Sequence, residues 1–227
     1  MRIESMVDDS WNRIHAEACV GLLALQNVHN PPRHPALDER KQEIEAALRA
    51  RFAGQTKAAL QRLQTIQAYQ AFYKPFNKTY HVLLQLDSIA LKGKPIASAT
   101  ALVQAMFMAE LDNQLLTAGH DLDLVVAPVT IAASRGDETY TRINGQTQTL
   151  KANDMYMRDA HGILSSVIYG PDQRTQITPH TRNAFFVTYA PTGIDEDTLY
   201  KHLTDIEAYV RLVSPEAEQV LCGVWGR

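Results

Sequence analysis

Apolar residues follow two rhythms along this chain of 227 residues, and the change falls near Gly119. Before Gly119 most of them recur at helical spacing; after it they alternate as in strands. One segment stands outside both rhythms. Residues 18–28 form a nearly continuous apolar run (Val20, Leu22, Leu23, Leu25, Val28), which predicts a buried strand. Pro31, Pro32 and Pro35 end it. From Ala36, the positions Leu37, Ile44, Leu48 and Phe52 make one helical stripe, with Gly54 as its stop. A second helix is predicted over about 56–73 (Leu60, Leu63, Ile66, Tyr69, Tyr73), ending before Pro75. A third starts at Thr79 as N-cap, buries Val82, Leu83, Leu86 and Ile89, and ends at Gly93. A fourth begins near Ser98 and aligns Leu102, Ala105, Met106 and Ala109, with His120-Asp121 read as its terminus.

Beyond Gly119, strands are predicted at 129–133, 140–143, 147–150, 155–158, 163–169 and 184–190. Asn144-Gly145 is a hairpin signal in which both turn residues are expected at positive φ. Residues 159–162 read as a second turn. An amphipathic helix follows over 195–212 (Leu199, Leu203, Ile206, Val210), and 219–224 is a candidate closing strand. Helices bunched early and strands bunched late give an α+β fold, with a helical N-terminal half packed on a largely antiparallel or mixed sheet. We expect one unit over 1–227: a helix-rich part at about 30–118, a strand-rich part at about 119–191, and the C-terminal helix. The strand at 18–28 precedes the helices and is expected to join the later sheet.

Composition narrows the class. Apolar residues make up 45% and charged ones 21%, enough for an ordinary globular core. No apolar run approaches the roughly 20 residues that span a bilayer, so no membrane role is expected. The N-terminus lacks a basic region followed by an apolar one, which argues against a signal peptide. Cys19 and Cys222 are isolated, as in a reduced cytoplasmic protein. A net charge of −3 argues against tight nonspecific nucleic-acid binding, although Arg40, Lys41, Arg49, Arg51, Lys57 and Arg62 cluster in sequence. That cluster reads first as a solvated helix face. His15 with Cys19, and His29 with His34, lack the pairing of a closed zinc site, so neither metal nor cofactor is expected. Ser165-Ser166 has no nucleophile elbow around it.

Two phrases, Gly119-His120-Asp121-Leu122-Asp123 and Thr178-Pro179-His180-Thr181-Arg182-Asn183, stand in a particular order with Ile143-Asn144-Gly145 and Asp154 between them. With His15–Gly21 and Lys92–Ile96 ahead of them, they resemble the tRNA-editing domain of the phenylalanyl-tRNA synthetase β subunit and its free-standing relatives. The resemblance runs from about His15 to Val213. It implies an α+β editing-domain fold and hydrolysis of mischarged aminoacyl-tRNA by a positioned water. Three polar pocket residues of that family fall here on Phe107, on Ala118 and between Val187 and Tyr189, so tyrosine-specific editing is not implied unchanged.

What remains polar nearby supplies the candidate site. His120 and Glu110 are candidates for orienting the water. Asp172 would anchor a substrate ammonium, and Arg174, Ser166, Asn113 and Thr175 would contact the substrate. The leading expectation is a trans-editing aminoacyl-tRNA deacylase whose partner is tRNA or aminoacyl-tRNA. The alternative is a non-catalytic module that binds tRNA, an amino acid or a small metabolite in the same pocket. Pattern and composition leave the oligomeric state open.

Overall fold

A computed structural model describes residues 5–226. Strand β1 (Ser5–Val7) and helix α1 (Asp9–Ile14) come first, the helix capped by the Asp8 carboxylate on the Ser10 N–H. Strand β2 (Cys19–Gln26) follows, then helices α2 (Pro35–Arg51), α3 (Lys57–Leu60), α4 (Gln64–Tyr73), α5 (His81–Leu86) and α6 (Ala101–Asn113). Next come strands β3 (Thr117–Asp121), β4 (Val129–Ala133), β5 (Thr139–Thr141), β6 (Thr147–Thr149), β7 (Met155–Asp159), β8 (Gly162–Ser166), β9 (Gly170–Pro171) and β10 (Ala184–Ala190). Helix α7 (Glu196–Arg211) and strand β11 (Glu218–Trp225) complete the order. The fold is α+β.

The apolar run at 18–28 pairs where its sequence required. β2 lies between β10 and β11 in the four-stranded sheet β11-β2-β10-β3, all neighbours antiparallel. Every residue of β10 is buried, as expected of an interior strand covered on both faces. Helix α7 lies against β2 at Gly21, where an added Cβ would stand 2.9 Å from Leu199 Cγ. A second sheet, β1-β4-β7-β8-β9, is antiparallel except for the parallel β1–β4 pair, and β5–β6 form a separate hairpin. Helix α6 is buried nearly all round, because it packs against α2, α7 and β3.

Several elements depart from the pattern. The predicted helix over 56–73 is two helices, with Leu63 extended (ψ 133°) at the start of α4, although neither Gly nor Pro marks the break. Pro75 continues the chain into a 3₁₀ turn, Lys74–Phe76, where its fixed φ fits the first positions. Thr79 does not cap α5, which starts at His81 and runs into a π-helical turn over Asp87–Leu91. Helix α6 starts at Ala101 rather than near Ser98 and stops at Asn113. There Gln114 takes the left-handed conformation (φ 56°) that glycine more often supplies, and its side-chain amide donates to the Leu111 carbonyl. His120-Asp121 is therefore in strand β3, not at a helix end.

The Asn144 hairpin also differs. Gly145 has positive φ (79°), and Asn144 is not among the positive-φ residues. The Gly145 N–H donates to Arg142 O and the Arg142 N–H to Gln146 O, which closes a three-residue loop of a type I turn plus a left-handed glycine. The strand expected over 163–169 ends at Ser166, and β1 and α1 were not anticipated at all.

The two phrases that carry the resemblance interlock. The Thr181 hydroxyl donates to Asp121 Oδ2 at 2.7 Å and accepts from the Thr178 N–H. The Asn183 amide donates to Asp123 Oδ1 at 2.7 Å, and the Leu122 N–H donates to Asn183 O. Their polar side chains tie β3 to the entry of β10.

Candidate functional site

One helical stripe opens the site. Val103, Met106, Phe107 and Glu110 of α6 follow the i, i+3, i+4, i+7 spacing and share a face of the helix. All four line a cavity of about 490 Å³. Its other walls are Leu116–Gly119 of β3 and the chain before it, the segment 166–171 around β9, Ile177, and Tyr189 of β10. Gly119 permits the approach of Ile177: a Cβ there would stand 2.8 Å from Ile177 Cδ1. Arg142, His81, Gln85 and Gln176 add polar groups to the lining.

Glu110 is the carboxyl among these lining residues. It is 2% exposed, and its Oε1 accepts the Thr117 N–H at 2.7 Å. That one bond pulls its pKa down less than burial among Met106, Phe107 and Leu116 pushes it up, and the group is raised to about 8. At neutral pH it is a carboxylic acid within one unit of releasing its proton, the range suited to general acid–base work. Behind it the Thr117 hydroxyl meets Thr188 Oγ1 at 2.9 Å and His202 Nε2 at 2.7 Å. Burial lowers His202 to about 3, so that imidazole is neutral.

The opposite wall is held by Ser166, which lines it, and by Asp154 behind it. Ser166 Oγ accepts the Tyr169 N–H at 3.0 Å, and Asp154 Oδ1 accepts the Ile168 N–H at 3.3 Å. Asp154 is fully buried, its Oδ2 has no hydrogen-bond partner among the described residues, and burial raises its pKa to about 7, against the opposing pull of Ser166. Tyr189 is anchored through its hydroxyl to Ser165 Oγ at 2.9 Å.

The remaining sequence candidates divide. Glu110 and Ser166 meet on the cavity. His120, Thr175, Asp172 and Arg174 form a second cluster instead. His120 Nδ1 lies 2.7 Å from Thr175 Oγ1, and Thr175 in turn donates to Asp172 Oδ1. Arg174 bonds Asp159 Oδ1 at 2.9 Å and the Leu124 carbonyl at 2.8 Å, and its Nε lies 3.6 Å from Asp172 Oδ2. His120 is completely buried, and desolvation takes its pKa down to about 3, so it is neutral. Burial raises the pKa of Asp172. Asp172 and Arg174 border a different concavity, shared with His161 and Thr139–Thr141. Their charges are answered within the cluster, and neither lines the Glu110 cavity. Asn113 is farther off, bonding Asp205 at 2.8 Å and Lys201 at 3.0 Å between α6 and α7.

Pattern reasoning passed over Thr117, His202 and Asp154. Thr117 and His202 carry no motif, and Asp154 enters the sequence reading only as a landmark between the two phrases of the resemblance. Among the described residues, no group of three or more His, Cys, Asp or Glu is placed to hold a metal ion. His15 instead contacts the Asn153 carbonyl at 3.1 Å and packs edgewise on Trp11. Among the described residues, no helix is long and apolar enough to cross a membrane.

Phe107, Ala118 and Tyr189, at or beside the three positions that the sequence resemblance picks out, all line the Glu110 cavity.

No protein-family model matches the chain, and no curated protein matches it. Among solved structures, an N-terminal fragment of the phenylalanyl-tRNA synthetase β subunit from Pyrococcus horikoshii aligns over 97% of this chain and 55% of that one. The TM-score is 0.49 and the identity 10%. This chain thus spans about half the length of the fragment, and a likeness so distant assigns no residue a role.

Proposed function

We propose that the Glu110 cavity binds the amino-acid end of an aminoacyl ester carried by a tRNA and hydrolyses that ester with water. The observation that carries the reading is a buried carboxyl in a largely apolar cavity roomy enough for an amino acid, bordered by Phe107, Ala118 and Tyr189. Met106, Phe107, Val103 and Ile177 suit an apolar side chain. An aminoacyl ester is already activated, so neither a covalent nucleophile nor a metal is required of the protein.

In this scheme ionised Glu110 takes a proton from water as the water oxygen attacks the ester carbon. The protonated Glu110 then returns that proton to the departing ribose oxygen, and the C–O bond breaks to free the amino acid. A base raised to about 8 binds the proton more firmly than an ordinary carboxylate does, while a minority of molecules remain ionised at pH 7. His120 takes no part in this scheme, because it does not line the cavity and its buried ring, bonded to Thr175, is a weak base with a pKa lowered to about 3. The test is release of labelled amino acid from tRNA charged with individual amino acids, comparing wild type with Glu110→Gln. Release by wild type that the variant loses supports the reading; no release from any substrate by folded protein overturns it.

A second reading draws on the same group. Glu110 is mostly protonated at neutral pH and is tied to the Thr117 backbone, as in a purely structural carboxyl. The cavity would then bind an amino acid or small metabolite without turning it over. Ligand binding without release, unaffected by Glu110→Gln, would favour it.

A further inference from the structure

Most of the basic run in the sequence lies apart from the hollow that gathers unpaired lysines, and only Lys57 belongs to both. On α2 the charges of Arg40, Lys41 and Arg49 are answered within the helix, and Arg51 lies over the Phe52 ring instead. Arg40 pairs with Glu43 at 2.8 Å, Arg49 with Glu45 at 3.1 Å, and Lys41 and Arg33 with Asp38 at 3.6 and 3.2 Å. Lys57, at the start of α3, behaves otherwise. It borders a concavity of about 540 Å³ together with Lys74 and Lys78.

Local structure explains the convergence. The 3₁₀ turn Lys74–Phe76 buries Phe76, and Asn77 turns the chain at φ 55°, which leaves Lys74 and Lys78 on the surface. All three lysines are exposed, and none makes an ion pair with an acid among the described residues. No Asp or Glu lines the concavity; Gln61, Gln70, Asn77 and Thr79 supply uncharged hydrogen-bonding groups. Lys151 comes near as well, its Nζ 3.4 Å from the Phe76 carbonyl. In a chain of net charge −3, three unpaired cations around one hollow mark a place for an anion.

Lys78 brings the hollow near the cavity wall. Lys78 Nζ stands 5.9 Å from the centroid of the Tyr169 ring, and Tyr169 is part of the cavity wall. We propose that the Lys57–Lys74–Lys78 hollow binds the phosphate backbone of the RNA whose aminoacylated end enters the Glu110 cavity. This rests on the reading of that cavity as an aminoacyl-ester site. A phosphodiester chain suits the arrangement, because its charges repeat along a line and match cations spread across a hollow. The uncharged amides can also bond phosphate or ribose oxygens.

The experiment measures binding of labelled, uncharged tRNA by fluorescence anisotropy from about 50 to 200 mM salt. Three phosphate contacts give a slope of log affinity on log salt of about −2 to −3, so affinity falls roughly 16- to 60-fold over that range. The variant Lys57→Ala/Lys74→Ala/Lys78→Ala is expected to bind at least about tenfold more weakly at low salt, with a nearly flat salt response. A triple variant that keeps the wild-type affinity and slope overturns the proposal. So does a wild type that binds anionic vesicles or poly-glutamate but not RNA.

Amino-acid ethyl esters, which have no phosphate, read the cavity alone. Glu110-dependent hydrolysis of such an ester, with RNA binding indifferent to the lysines, removes the RNA site and leaves the cavity reading standing. Lysine-dependent, salt-sensitive RNA binding without hydrolysis of any ester does the reverse. Unchanged ethyl-ester hydrolysis by the triple variant also shows that it is folded.

Discussion

Replacing Glu110 by Gln isolates what it costs to keep a carboxyl in the cavity wall. In the native protein the group holds its proton up to about 8, whereas in the unfolded chain it ionises at its ordinary value of 4.5. Between those two pH values the unfolded chain binds fewer protons than the native one. Stability therefore falls as pH rises through that window, by about 1.4 kcal/mol for each unit. At pH 7 the accumulated loss is about 3 kcal/mol, and it levels off near 5 kcal/mol above pH 8. Glutamine has nearly the same volume, keeps an oxygen for the Thr117 N–H, and does not titrate. The Glu110→Gln protein is expected to match wild type near pH 4.5 and to exceed it by about 3 kcal/mol at pH 7. For a chain of this length that is roughly 6–12 °C in Tm. Thermal unfolding followed by circular dichroism in steps from pH 5 to pH 9 measures it. A difference that does not change with pH, or a variant less stable throughout, would refute the reasoning, because it would show that Glu110 is charged in the native protein.

Two further expectations concern the cavity and its scaffold. Gly119→Ala places a Cβ 2.8 Å from the end of the Ile177 side chain and 3.4 Å from Met106 Sδ, so Ile177 must move. Melting should show a loss of about 1–3 kcal/mol, while binding or turnover of bulky amino acids falls and that of small ones persists; equal effects on both would show that Gly119 does not limit the cavity. Thr181→Val removes the hydroxyl that bonds Asp121 and the Thr178 N–H. Denaturant titration should register a loss of about 2–3 kcal/mol, since a buried carboxylate oxygen is left without its donor; a loss below about 0.5 kcal/mol would show the interlock to be dispensable.

Apolar pattern carried most of the architecture. The run at 18–28 and the stripes of α2 and α7 sit within a residue or two of expectation, because burial on one face or on both leaves a periodic trace. Boundaries set by a single backbone angle left no such trace. Gln114 at φ 56° stops α6 five residues before Gly119, and an extended Leu63 divides α3 from α4. Of the sequence candidates, Glu110 and Ser166 line the cavity, but sequence adjacency drew Asp172 and Arg174 into the same pocket, whereas ion pairing and burial commit them elsewhere. Thr117, His202 and Asp154 were missed because their significance depends on which strand lies beside which. The cations behaved likewise: proximity in sequence grouped Lys57 with the arginines of α2, and only the turn at Lys74–Asn77 brings it near Lys74 and Lys78.

The α6 stripe gives the cavity an unusually simple address. Val103, Met106, Phe107 and Glu110 occupy two turns of one helix, outside the strands of both flanking sheets. A library varied only at Val103, Met106 and Phe107 would reshape the apolar part of the cavity while leaving the acid, the strand pairings and the Asp121–Thr181 interlock untouched. Ligand preference could then be retuned from a stretch of sequence short enough for a single synthetic oligonucleotide.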